Sequence, residues 1–298
     1  MNLGAILRLL AVMALWALCF PLITAGLTLA PHLAFAAMRA ALAGVCLLSF
    51  GVASRRPIPR GAVIWILIAL TGLGTTSLGF FGMFHAAEFV SPGLATVVAN
   101  TQPLLAAILA HAFLNERLMT IGKIGLAAGM AGIVAIAWPD LAAGAAQGLT
   151  LGLGYIGLAV TGVAVGNIAI KRLTGRVDAM MAMGFQLLIG AVPLAVLSTL
   201  TEDIASLTWS TEFVLILVAL SVFGTALASW LWFGALEQVT LNRANAFTFL
   251  VPIFGLTIGA ILFAERLAWV QAAGVILVLL GIALVQRNSH APPSSAEF

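Results

Sequence analysis

Arg39, Asn100, Gln102 and Asn245 stand inside runs that are otherwise almost free of polar side chains. Amides in such surroundings cost free energy unless they bond another helix or line a wet cavity. Asn100, Thr101 and Gln102 lead directly into Pro103, and Asn245 and Thr248 precede Pro252 in the same way. Asn167 and Gln186 are further amides of this kind, for which bonding between helices is the simpler reading. Arg39 is the one basic residue within an apolar run. Two readings stand for it: its stem snorkels to an interface about two turns away, or its guanidinium receives a carboxylate.

Aromatic residues form a second constellation. Phe81, Phe84, His85 and Glu88 follow at i, i+3, i+4 and i+7, one face of a helix, and Trp230, Phe233, Gly234 and Glu237 repeat the spacing 149 residues later. Two stripes ending in a glutamate would suit two gates; alternatively the rings pack and the glutamates meet headgroups. Trp65, Trp138, Trp209 and Trp269 fall near the ends of apolar runs, where an aromatic belt accounts for them. Trp16 does not, and with Phe20 one turn on it offers a flat apolar wall to a solute.

Absences narrow the chemistry. HExxH, GxSxG and paired aspartates within apolar runs are missing, so no enzyme, no metal site and no cofactor are expected. With no Asp or Glu at mid-run, organic cations are poor candidates, and with only Arg39 available so are phosphorylated solutes. His85 and His111 could titrate, yet the lack of a midplane carboxylate favours movement down a gradient without obligatory proton coupling. The basic residues are spread over loops and form no stripe, which argues against nucleic acid. Cys19 and Cys46 lie in apolar runs, as small buried residues would.

The elements that must position these residues follow from composition. Of 298 residues 62% are hydrophobic and 8% charged, with mean hydropathy +1.16, the profile of an integral membrane protein. Spans are expected at 4–28, 33–53, 62–86, 92–113, 121–138, 148–170, 179–200, 211–236, 242–263 and 269–287. The first is read as a span and not as a cleaved leader. With an internal N terminus, eleven of the thirteen Lys and Arg fall in cytoplasmic segments: Arg8, Arg55, Arg56, Arg60, Arg117, Lys123, Lys171, Arg172, Arg176, Arg243 and Arg287. Only Arg266 lies outside, so the positive-inside bias puts both termini in the cytoplasm.

Phe84 to Leu118 is written again, without a gap, at Phe233 to Leu267, including Pro103/Pro252 and Glu116-Arg117-Leu118/Glu265-Arg266-Leu267. Five spans per half is odd, so the halves, 1–143 and 144–287, are expected as all-α inverted-topology repeats, with a solute site between them. Residues 288–298 read as a disordered tail. Glycine pairs at i, i+4 (Gly125/Gly129, Gly148/Gly152, Gly162/Gly166, Gly255/Gly259) are expected at helix contacts.

Trp16, Ala17, Phe20 and Pro21 in the first span, the two repeats, the two internal prolines and the Glu-Arg-Leu ends resemble the EamA group of the drug/metabolite transporter superfamily, and within it amino-acid exporters of the YddG type. The resemblance implies a multi-pass protein of a bacterial inner membrane that exports small neutral or zwitterionic metabolites, amino acids first, by alternating access. Candidate solute-binding residues are Trp16, Phe20, Arg39, Phe81, Phe84, His85, Asn100, Gln102, Trp230, Phe233 and Asn245, with Pro103 and Pro252 as hinges. The expected partners are a small-molecule substrate, the lipid bilayer and a second copy of the chain. Two alternatives remain open: export of other metabolites such as nucleosides or organic cations, and a membrane scaffold without transport.

Overall fold

The computed structural model describes residues 2–86, 89, 98–142, 148–263 and 269–287. Glu88, the Glu265-Arg266-Leu267 tripeptide, residues 288–298 and the side chain of Phe20 lie outside what it describes. The helices are α1 Leu3–Leu27, α2 His32–Ala53, α3 Ala62–Ala86, α4 Gln102–Leu114, α5 Thr120–Ala142, α6 Leu149–Leu173, α7 Ala179–Thr201, α8 Thr211–Leu236, α9 Leu241–Phe247, α10 Leu250–Phe263 and α11 Trp269–Arg287. Among the described residues eight of them are long and apolar enough to cross a membrane.

The two expected spans that are not continuous helices are those carrying the duplicated prolines. α4 begins only at Gln102, after a turn at Asn100–Thr101, and α9 stops at Phe247 before α10 restarts at Leu250. Pro103 therefore lies in the first turn of α4, and Pro252 is the third residue of α10. An amide in a first turn has no intrahelical acceptor, so neither proline removes a bond from its helix. The two prolines, expected as hinges inside continuous spans, thus each follow a break in the chain and do not bend a helix from within. True mid-helix prolines are Pro21 in α1 and Pro193 in α7.

Helix ends in an apolar medium need partners for their free N–H groups. Asn2, Asp178 and Ser210 cap α1, α7 and α8 from their own N-cap positions. Two glutamates cap from a distance. Glu202 accepts from the Leu33 and Ala34 amides at 2.7 and 2.9 Å at the start of α2. Glu116 accepts from Leu241 and Asn242 at 2.8 and 3.0 Å at the start of α9, which gives the first copy of the Glu-Arg-Leu motif a concrete role.

α2 packs along α7 and α5 along α11, while α3 packs on α6 and α1 on α8. The α5–α11 contact is reciprocal. A methyl added at Gly125 would lie 2.7 Å from the Gly281 carbonyl, and one at Gly132 would lie 2.6 Å from that of Gly274. Ascending positions on one helix meet descending positions on the other, so the two cross antiparallel. Gly129, Gly162 and Gly166 are likewise closed in by neighbouring helices. Gly148 instead turns the chain at φ +87° before α6, where a Cβ would meet the Phe89 ring at 2.7 Å, and Gly255 faces open space.

α3 and α8 each contain one wide π-type turn, at Gly72–Leu78 and Leu220–Leu227. These are matching positions of the duplicated halves. Such turns insert a residue into the helical ladder and turn a side chain or carbonyl outward, often at functional sites.

Candidate functional site

The wide turn of α8 meets Arg39. Its Nε donates to Thr225 Oγ1 at 2.7 Å, Nη2 lies 3.6 Å from Cys19 Sγ on α1, and the guanidinium covers the Phe80 ring of α3 at 5.0 Å. Arg39 is only 5% exposed, and among the described residues no carboxylate pairs with it. The snorkelling reading is therefore corrected: the helix turns this side chain inward, where four helices converge.

The wide turn of α3 uses its threonine differently. Thr76, equivalent to Thr225, donates to Gln186 Oε1 at 3.0 Å, with Thr75 at 3.3 Å from the same oxygen. Gln186 thus ties α7 to α3. Asn167 plays a similar part, accepting from Trp232 Nε1 at 3.1 Å while the Trp232 ring packs on Trp16 at 5.5 Å. Trp16, half-buried, presents the outer end of this Trp-Trp-Asn chain.

Beside the two helix breaks, Gln102 Nε2 and the Asn245 amide have no such partners among the described residues. Gln102 is 7% exposed with Nε2 unbonded, and Asn245 is 1% exposed with both amide atoms unbonded. Pro103 and Pro252 are buried too, and α4 packs against α9. Asn100 occupies the turn before α4 and is partly buried. Unsatisfied buried amides of this kind cost about 1–3 kcal/mol each unless water or a solute fills the place.

The aromatic stripes separate into core and accessible parts. Phe84 is 4% exposed and meets Phe35 edge-on at 6.2 Å, and Phe233 is fully buried. Both are packing residues in this state, contrary to the expectation that they line a solute path. Phe81 and His85 are only partly buried and pack at 4.4 Å; Tyr155 joins them at 5.8 and 5.2 Å, and His32 stands 6.5 Å from His85. At the other end of the bundle, where α1 starts and α8 finishes, Trp230 and Glu237 line a cavity of about 280 Å³ with Arg8, Arg56, Asp178 and Gly234.

Tyr155, Thr225, Cys19 and Arg8 were not among the expected site residues. Tyr155 is the single tyrosine of the chain and Thr225 duplicates Thr76, two signals legible in the sequence. Cys19 and Arg8 carry none, since their relevance depends on which helix faces them. Among the described residues, no three His, Cys, Asp or Glu side chains are placed to hold a metal ion.

A bundle of apolar helices with two broken spans, and with unbonded amides on Gln102 and Asn245 at the breaks, is an architecture that membrane transporters use. The chain matches the EamA-like transporter family over residues 3–138 and 150–287, and it belongs to that family, within the drug/metabolite transporter superfamily. It is 30% identical to a WAT1-related chloroplastic protein of Arabidopsis thaliana over 84% of its own length and 61% of that protein. It is 27% identical to the uncharacterized transporter YvbV of Bacillus subtilis, over 95% and 91% of the two chains. With a probable amino-acid metabolite efflux pump of Salmonella typhimurium the identity is 29%, over 92% and 91%. A solved crystal structure superposes with TM-score 0.81 at 21% identity over 95% and 98% of the chains, a likeness of fold.

Proposed function

We propose that the protein is a secondary transporter exporting small net-neutral or zwitterionic metabolites, amino acids foremost, across the cytoplasmic membrane by alternating access. In this reading the chain crosses ten times, the halves 1–143 and 144–287 are inverted repeats, and both termini are cytoplasmic. The reciprocal Gly125/Gly281 and Gly132/Gly274 contacts and the paired wide turns support the two-fold relation. The observation that carries the transport reading is the set of unbonded buried amide atoms on Gln102 and Asn245, next to breaks in matching helices. Interrupted helices in corresponding positions are where transporters of inverted repeats bind their solutes.

Arg39 adds a receiver for a carboxylate, and Trp16 a wall for an apolar side chain. The relatives named as amino-acid metabolite efflux pumps are consistent with this class of solute. Purified protein in liposomes is expected to accelerate exchange of labelled neutral amino acids above empty vesicles. Exchange of nucleosides or quaternary amines alone would replace the substrate class and leave the transporter; no solute flux at all would remove the reading.

A further inference from the structure

The cavity at the Arg8 end holds more charge than its walls use. Of its two cations and two carboxylates, Arg56 and Asp178 pair at 3.6 Å, and Asp178 also caps α7 through the Met180 and Met181 amides at 3.0 and 3.2 Å. Arg8 and Glu237 remain. Arg8 Nη1 donates to the Gly234 carbonyl at 2.8 Å, Glu237 is exposed, and neither makes an ion pair among the described residues. Lys171, the next cation, donates to the carbonyls of Leu236 and Val239; it lies near enough to Glu237 to feel its charge, but the two form no ion pair among the described residues.

Trp230, Gly234 and Glu237 follow at i, i+4 and i+7, one face of α8. Gly234 is what admits Arg8, since a Cβ there would stand 2.6 Å from its Nη1. The face therefore offers, in order, an indole, a guanidinium held on a carbonyl and a carboxylate, the two charges forming no ion pair among the described residues. The Gly234 carbonyl that holds Arg8 and the Glu237 backbone are three residues apart along α8, about 4.5 Å of helix rise. Both side chains line the one cavity, where a solute carrying two charges on one carbon can meet each through a charge-assisted hydrogen bond.

We propose that this cavity is a loading site that recognises an α-amino acid by both of its charges, the carboxylate on Arg8, the ammonium on Glu237 and the side chain along Trp230. This rests on the exporter reading and assigns the substrate class to its entry side. At about 280 Å³ the cavity lies at the small end of ligand pockets and fits a single amino acid. A solute carrying only one of the two charges leaves the other wall charge unmatched, so the site discriminates against amines and simple acids.

The test compares phenylalanine, phenethylamine and 3-phenylpropionate as inhibitors of labelled phenylalanine exchange, added at the Arg8 face of reconstituted full-length protein. With the unsubstituted protein each analogue is expected to inhibit at least about tenfold more weakly than phenylalanine. In Glu237→Gln the penalty for lacking the ammonium shrinks to about threefold or less, while the penalty for lacking the carboxylate persists; Arg8→Gln gives the reverse. Because Glu237 is exposed, its substitution does not threaten the fold, and unchanged penalties in Glu237→Gln alone overturn the loading site while leaving the exporter intact. If the unsubstituted protein exchanges other solutes but no amino acid, the substrate reading falls and takes the loading site with it.

Discussion

Arg39 reaches across from α2 to donate to Thr225 Oγ1 at 2.7 Å, and Thr225 in turn gives its own proton to the Leu220 carbonyl at 2.9 Å. Thr225 is thus a pure acceptor for the guanidinium. The same junction in the other half, between Thr76 and Gln186, is neutral. At one matched point of the duplicated sequence, Thr225 and Thr76, the two halves thus carry different polar contents, a buried cation in one and a neutral amide in the other.

Replacing Arg39 with methionine keeps an unbranched apolar stem and removes a buried cation that has no counter-ion among the described residues. Thr225 keeps its bond to Leu220, so no donor is orphaned. Stability is expected to be unchanged, or to rise by up to about 4 kcal/mol, since desolvating a charge is costly. Amino-acid exchange is expected to fall by at least about tenfold. A loss of thermal stability in detergent together with the loss of exchange would instead mark Arg39 as a structural strut.

The glycine seam between α5 and α11 predicts a matched pair of defects. Gly125→Ala and Gly274→Ala each push a methyl to under 3 Å from the facing helix, against the Gly281 and Gly132 carbonyls. Each is expected to destabilise by about 1–3 kcal/mol. The double variant Gly125→Ala/Gly281→Ala should cost less than the sum of its singles, because both force apart the same crossing point. Midpoints of thermal unfolding in detergent check both statements.

Much of the frame was legible in the sequence because it rests on local quantities. Apolar run length sets the helices, and the distribution of Lys and Arg sets their expected alternation. What escaped depended on neighbours. Nothing in the local pattern distinguishes Phe84, which meets Phe35, from Phe81, which stays accessible beside Tyr155. Pro103 and Pro252 were visible, but whether a proline bends a helix or follows a break depends on where the preceding turn closes, and that is settled by Asn100–Thr101 and by Thr248–Phe249. Arg39 was visible as an anomaly; its inward orientation needed Cys19 and Thr225 from other helices.

Glu116 predicts a pH signature outside the spans. Burial pushes its carboxyl above the ordinary value of 4.5 and outweighs the Asn242 and Leu241 amides and Lys171, which draw it down. A carboxyl with a raised folded value takes up a proton more readily folded than unfolded. Its contribution to stability is therefore fullest below pH 4.5 and declines as pH rises through the window from 4.5 to the folded value. The stability of the unsubstituted protein minus that of Glu116→Gln should fall with pH from 4.5 towards 7, by no more than about 1.4 kcal/mol per pH unit. Glu116→Ala, which strips the cap from Leu241 and Asn242, should be less stable than Glu116→Gln by about 1 kcal/mol at any pH in that range.

The helix breaks make a prediction that separates transport from scaffolding. Gln102 opens α4 one residue before Pro103, buried and with Nε2 unbonded. In alternating access such a position meets water from each side in turn, whereas a static bundle would keep it sealed or open to one side only. A single cysteine at Gln102, with Cys19 and Cys46 replaced, should react with a membrane-impermeant thiol reagent in both right-side-out and inside-out vesicles. An excess of a transported amino acid should alter both rates by at least about threefold, because a ligand shifts the populations of the two states only through its differential affinity for them. Exposed Trp209 provides the control: a cysteine there lies outside the expected spans and should react from one face alone, with or without the amino acid. Labelling of the Gln102 position from one face only, unchanged by any solute that the vesicles exchange, would mean that the breaks are static features of the fold and that the moving parts lie elsewhere.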